Sequence, residues 1–235
     1  MPAAPRRGLP AGYAARHLAV DLLHAVLVEG HDLDWALARA FAGSRTSELA
    51  PRDRALARAI AATVLRRHGQ LAAPIGACLT RPLPEDHGKT TLILLAAAAQ
   101  LLFLGTPAHA AVAIAVEQCR RDRSARRFDK LVNAVLRRLA DSGPASIAAQ
   151  DAVTLNIPAW LLARWIETYG EEQARSIALT SLQEAALDIT AKNDPQEWAR
   201  QFGGRLLPTG SIRLQSHGRI EDLPGYAAGA WWVQD

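Results

Sequence analysis

The chain has 235 residues, 49% of them hydrophobic, 21% charged and only 6% aromatic, enough apolar material for one large domain or two modest ones. Its net charge of +4 is unevenly divided, with 20 Lys and Arg against 11 Asp and Glu through residue 140, and 7 against 12 beyond it. A basic half (+9) therefore precedes an acidic half (−5), and a nucleic-acid partner is expected for the first. The apolar fraction is rich in alanine, which favours close helix packing.

Met1 to Pro10 carries Arg6 and Arg7 but no apolar run behind them, so no signal peptide is expected. Gly12 to Glu29 places Leu18, Leu22 and Val26 on one helical face, and after a Gly-His-Asp break Asp32 caps a short helix through Phe41. Pro51 opens a helix ending near His68, with Leu56, Ile60 and Val64 as its inner stripe. Gln70 to Leu79 precedes a proline-rich loop, Arg81 to Gly88. Thr90 to Leu104 and Pro107 to Arg120 form a helical hairpin broken at Gly105, with Thr106 as N-cap and Pro107 as first helical residue. The run from Leu92 to Leu104 is too short to cross a bilayer and reads as a buried helix. Ala125 to Leu139 turns Phe128, Leu131, Val132, Val135, Leu136 and Leu139 inward. Seven helices in this region make an all-α bundle.

Pattern changes after Asp141. Gly143, Pro144 and Pro158 punctuate a linker, and two helices follow, Pro158 to Tyr169 and Glu171 to Leu182. Glu171 and Glu172 suit a solvated helix start. Leu187, Ile189 and Ala191 alternate as a strand, Asp194 caps a helix with Pro195 in its first turn, Gly203 and Gly204 end it, and short strands lie at Arg205–Leu207 and Ser211–Leu214. The expected architecture is mainly α: a helical bundle over 1–143, a linker over 144–157, and a small α+β subdomain over 158–235.

No catalytic constellation emerges. Gly88-Lys89-Thr90 imitates the end of a phosphate loop, but the required earlier glycine falls on Leu83 and no strand precedes it. His17, His24 and His31 recur every seven residues, whereas helical metal ligands sit three or four apart, so no metal is expected. Cys78 and Cys119 lack any C-x-x-C spacing and read as small buried hydrophobes of a reducing cytoplasm.

The strongest chemical signal is cationic. Arg120, Arg121, Arg123, Arg126, Arg127 and Lys130 crowd into eleven residues opposed by Asp122 and Asp129, and Arg137 and Arg138 follow two turns later. Arg52, Arg54 and Arg58 form a second cluster, and Arg6, Arg7 and Arg16 a third. Cations that outnumber their partners suit RNA phosphates, with binding weakened steeply by salt. With Phe128 as the one aromatic of the main cluster and its spacing that of a core residue, backbone or shape recognition is expected rather than base stacking.

Several segments, in order and spacing, resemble the Sun/RsmB family of bacterial ribosomal RNA cytosine-C5 methyltransferases. They are Arg52-Asp53-Arg54-Ala55-Leu56-Ala57-Arg58, the hairpin Leu101-Leu102-Phe103-Leu104-Gly105-Thr106-Pro107-Ala108-His109-Ala110-Ala111-Val112, and Leu131-Val132-Asn133-Ala134-Val135-Leu136-Arg137-Arg138-Leu139. Pro158-Ala159-Trp160-Leu161, Tyr169-Gly170-Glu171, Leu223-Pro224-Gly225-Tyr226 and Trp231-Trp232-Val233-Gln234-Asp235 complete the set. The resemblance implies an RNA-binding domain similar to the transcription antiterminator NusB, a linking subdomain, and then a Rossmann-like domain that binds S-adenosylmethionine. There a glycine-rich loop holds the cofactor, one cysteine attacks C6 of cytosine, and another helps release the product.

Neither that loop nor those cysteines occur here, and Cys78 and Cys119 lie in the helical part. The chain is therefore expected to stop before the catalytic domain, with Gln234 and Asp235 at the first edge of the cofactor pocket and two tryptophans left exposed. It is expected to bind ribosomal RNA as a cytoplasmic monomer, with no membrane, no metal and no S-adenosylmethionine of its own. A stand-alone antitermination adaptor and a helical module for an acidic protein partner remain the alternatives.

Overall fold

A computed structural model describes residues 9–42, 49–214 and 220–234, which divide into two compact units, Met1–Leu182 and Gln183–Asp235. In the first, α1 spans Tyr13–Leu27, α2 Leu33–Ala42, α3 Pro51–Arg66, α4 His68–Cys78, α5 Thr90–Leu102, α6 Ala108–Arg121 and α7 Asp129–Ser142. Every residue from Leu92 to Gln100 is buried, so α5 is the central helix, with α1, α3, α4, α6 and α7 packed around it. A helix apolar on all sides can only sit inside such a bundle. Leu94 of this helix is fully buried, as are Leu23, Ile60, Leu71 and Leu136 of the helices around it. Gln100, the one polar side chain of this stretch, accepts from Arg16 Nε at 2.6 Å and donates to the Ala96 carbonyl at 2.9 Å.

In the first unit two helix starts differ from expectation. Asp32 caps α2 as expected, accepting from the Trp35 N–H at 2.7 Å. Pro107, not Thr106, is the N-cap of α6: its backbone is extended (φ −54°, ψ 131°), and its carbonyl takes the first helical bonds, from Ala110 and Ala111. The helix foreseen over Ala125–Leu139 is also interrupted. Asp122 Oδ1 accepts from the N–H groups of Ser124 (3.0 Å) and Ala125 (2.8 Å), closing a turn, and a 3₁₀ turn over Arg126–Phe128 precedes α7. A side-chain acceptor here takes donors that a continuous helix would have used.

The segment 144–157, expected as linker, forms two short helices, α8 (Ala145–Ala148) and α9 (Ala152–Asn156). The second docks on α4. Gln70, 2% exposed, donates its N–H to Asn156 Oδ1 (3.2 Å) and accepts at Oε1 from Asn156 Nδ2 (3.0 Å) and Arg67 Nη1 (2.9 Å). Gln150 Nε2 donates to the Gln70 carbonyl at 3.3 Å. These bonds, and the packing of α10 (Ala159–Tyr169) on α11 (Glu171–Ser181) and of α11 on α9, place the compact division after Leu182.

Asp151 caps α9, and its carboxyl is held down at about 2, against an ordinary 3.8, first by the Thr154 hydroxyl, then by Arg175 and the Thr154 N–H. A depressed carboxyl contributes stability that is present above about pH 4 and is lost as pH falls toward about 2. Asp151→Ala should therefore lower the melting temperature near neutrality by an amount that shrinks through that window. A deficit unchanged at the acid end would refute this role for the carboxylate.

In the second unit β1 (Leu187–Ala191), α12 (Pro195–Phe202), β2 (Arg205–Leu206), β3 (Ile212–Leu214) and β4 (Trp231–Gln234) build an antiparallel sheet of order β2-β3-β1-β4. Alternation puts Leu187, Ile189, Ile212 and Leu214 on one buried face with Ala199 of α12, while Asp188 and Arg213 pair across strands at 2.7 and 2.8 Å. Asp194 precedes α12 in a left-handed conformation (φ 48°) and makes no side-chain cap bond, contrary to expectation. β4 was not foreseen. It takes Trp231 into the core (4% exposed), with Nε1 bonded to the Pro224 carbonyl at 2.8 Å, and leaves only Trp232 of the pair exposed.

Candidate nucleic-acid interface

The C-terminal end of α6, the Asp122 turn, the 3₁₀ turn and α7 form one corner of the bundle. Its cations stay outside because the apolar stripe of α7, Val132, Val135, Leu136 and Leu139, turns inward and leaves Lys130, Arg137 and Arg138 on the other face. Loop 81–88 is fastened beside it. Gly88 adopts φ +58°, and a Cβ there would lie 2.7 Å from that of Ser124 and 2.9 Å from Asp122 Oδ1, so only glycine lets the loop approach the turn this closely.

The acids here neutralise three of the cations, Arg120, Arg121 and Arg127. Asp122 is engaged with backbone N–H groups, and Asp129 accepts from Arg120 Nε at 2.9 Å, a bond that holds its carboxyl below the usual range. Arg121 pairs with Glu117 at 2.6 Å and lies over the Tyr13 ring. Arg127 donates through Nη2 to the Asp86 carboxylate and, at 3.2 Å, to the Asp86 carbonyl, with its guanidinium carbon 4.9 Å from the centre of the Phe128 ring. Arg123, Arg126 and Lys130 are exposed, and no ion pair reaches them among the described residues.

Two grooves flank α7. One, of about 770 Å³, is lined by Leu79 to Pro84, Asp86, Arg127, Phe128 and Leu131. The other, of about 510 Å³, has Val112 and Val116 in its lining with His109, Arg120, Asn133 and Arg137. Arg137 Nε donates to Asn133 at 3.3 Å, and Arg138 Nη1 donates to the Cys78 carbonyl at 3.4 Å. Arg81, Asp86, His109 and Asn133 were not singled out as contacts from sequence. Only the charge of Arg81, inside the proline-rich loop, offered a signal.

The expected contact residues do not all meet here. Arg52 and Arg58 are exposed on α3, which packs on α1, α4 and α5, while Arg54 bonds to the Leu49 carbonyl at 3.0 Å and lies over Phe41. Arg16 is turned inward to Gln100, and burial pulls its pKa down. Arg6 and Arg7 lie outside the described residues. Phe128, expected in the core, is half-buried and outside the core cluster, because the 3₁₀ turn shifts its facing relative to α7. Gln234 donates to Thr190 Oγ1 at 2.6 Å within the second unit's sheet, and Asp235 lies outside the described residues.

Burial pushes the Cys119 thiol up to about 12, with Asp122 and Asp129 adding to it, so it is protonated and unreactive. Cys78 is half-buried. Among the described residues no three metal-ligating side chains come together, and no helix is long and apolar enough to cross a membrane.

A family model for the NusB family matches residues 13–141, which is the seven-helix bundle with this corner at its end. The chain belongs to the NusB family. This NusB-family chain is also similar, over nearly its whole length, to proteins named ribosomal RNA small subunit methyltransferase B. It is 34% identical to that of Xanthomonas campestris and 31% to that of Vibrio cholerae, covering 96% and 94% of this chain but 52% of each relative. A probable member from Synechocystis is 28% identical over 94% of this chain and 53% of its own length. The chain thus spans about half the length of the relatives it matches. The crystal structure of PH0851 shares the fold, with a TM-score of 0.56 at 12% identity, over 97% of this chain and 53% of that one.

Proposed function

We propose that this chain is the RNA-holding front half of a ribosomal RNA cytosine-C5 methyltransferase and transfers no methyl group by itself. The observation that carries the reading is the corner of α6 and α7, where Arg123, Arg126 and Lys130 stand exposed without carboxylate partners among the described residues, beside Arg120, Arg127, Arg137 and Arg138. Membership of the NusB family and likeness to relatives named as ribosomal RNA methyltransferases support it. In this reading residues 1–143 hold ribosomal RNA, 144–157 connect, and 158–235 lead toward the half of the relatives that this chain does not match, with Gln234 and Asp235 at its edge. S-adenosylmethionine belongs to that other half, and the chain works as a cytoplasmic monomer.

A filter-binding titration of the chain with a ribosomal RNA fragment tests the reading. Neutralising about five phosphates makes the logarithm of affinity fall with the logarithm of salt concentration at a slope of about −4. An affinity indifferent to salt, or no binding, would refute the RNA-holding role. Methyl transfer from S-adenosylmethionine by this chain alone would refute its passivity.

A further inference from the structure

We propose that the groove between the proline-rich loop and the 3₁₀ turn seats a single unpaired nucleotide of RNA, and that Asp86 occupies the phosphate position until RNA displaces it. This rests on the reading that the chain binds RNA, and adds to it a place, a form of RNA and a built-in competitor.

A nucleotide is a flat base with apolar faces joined to an anion, and the groove offers both complements. Phe128 is the only Phe, Tyr or Trp between residues 108 and 142 and lines the groove rather than the core. Pro82, Pro84 and Leu131 supply the apolar wall, and Arg81 is exposed in the lining with no ion pair among the described residues. Arg127 lies over Phe128, so one anchored cation and one ring lie together, which suits a phosphate and its adjoining base.

Asp86 already shows how an anion fits. Its carboxylate and its carbonyl both accept from Arg127 Nη2, yet its side chain is 73% exposed, so water and salt weaken the pair and an incoming phosphate can exchange with it. A base stacked and paired within a duplex cannot lay its face on Phe128, so the seat selects unpaired RNA. The expectation of backbone recognition alone assumed Phe128 in the core, and that assumption does not hold.

The test is fluorescence anisotropy on the full chain, with one labelled RNA presented as a single strand and as a duplex. Phe128→Leu should weaken the single strand on the order of tenfold and leave the duplex unchanged. Arg81→Gln should weaken the single strand several-fold, and Asp86→Asn should strengthen it several-fold at low salt. The last two sit in the exposed loop, so they report even if Phe128→Leu melts early.

Single-strand binding indifferent to all three variants, or equal losses for strand and duplex with Phe128→Leu, would overturn the seat while RNA binding stands. An acidic peptide that binds with the same variant pattern, where the RNAs do not, would make the groove a protein-docking site. If the unaltered chain binds neither RNA, the RNA-holding reading itself falls and the seat with it.

Discussion

Replacing Gly69 by alanine is expected to destabilise the helical unit by about 2–3 kcal/mol and to lower its melting temperature by roughly 5–10 °C. A Cβ at this position would lie 1.7 Å from the Leu155 carbonyl oxygen and 2.5 Å from its carbon, both backbone atoms that no rotamer change can move. Either α4 and α9 separate or the peptide at Leu155 shifts, and both routes disrupt the bonds between Gln70 and Asn156. Gln70 would then be a buried amide with missing partners, which adds to the cost. Hydrogen exchange should show lost protection over residues 152–156 and at Gln70, with α5 still protected. A melting temperature unchanged within error would show that α9 is not held as described.

Reversing both Arg126 and Arg127 to glutamate is expected to weaken RNA binding on the order of a hundredfold at moderate salt. It should also make the salt slope shallower by about 1.5, as two phosphate contacts are lost. Arg126 is exposed and Arg127 is held only by surface partners, so the fold should melt as before. Unchanged RNA affinity with an intact fold would move the binding face elsewhere, with Arg52 and Arg58 on α3 as the next exposed cations to test. Loss of affinity with an unaltered salt slope would mean that the two arginines act on the shape of the turn, and not on phosphates.

The helical bundle was legible because its signals are local. A period of 3.6 in Leu18 and Leu22 of α1 and in Leu56, Ile60 and Val64 of α3, an Asp at the start of α2 and a proline at the start of α3 depend only on neighbours within a turn or two. The apolar run at Leu92–Leu104, interrupted only by Gln100, likewise announced a buried helix. Errors arose where two backbone choices cost nearly the same. Asp122 could have begun a longer helix, but its side chain satisfies the N–H groups of Ser124 and Ala125, and the 3₁₀ turn then sets the facing of Phe128. Gln70 and Asn156 lie 86 residues apart, so the docking of α9 on α4 left no mark in any local window.

Composition and periodicity alone determined the class of the first unit, the burial of α5, the mixture of strands and helix in the second, and the excess of cations near α6 and α7. These follow from how each residue meets water and its near neighbours, which the order of residues already contains. Which cations face solvent was decided only by the folded chain. It turned Arg16 to a buried amide, set Arg54 over Phe41, clamped Arg127 to Asp86, and left Arg123, Arg126 and Lys130 outward. A charge says nothing about its partner until distant segments meet, and the same meeting made β4 a strand and drew Trp231 inside.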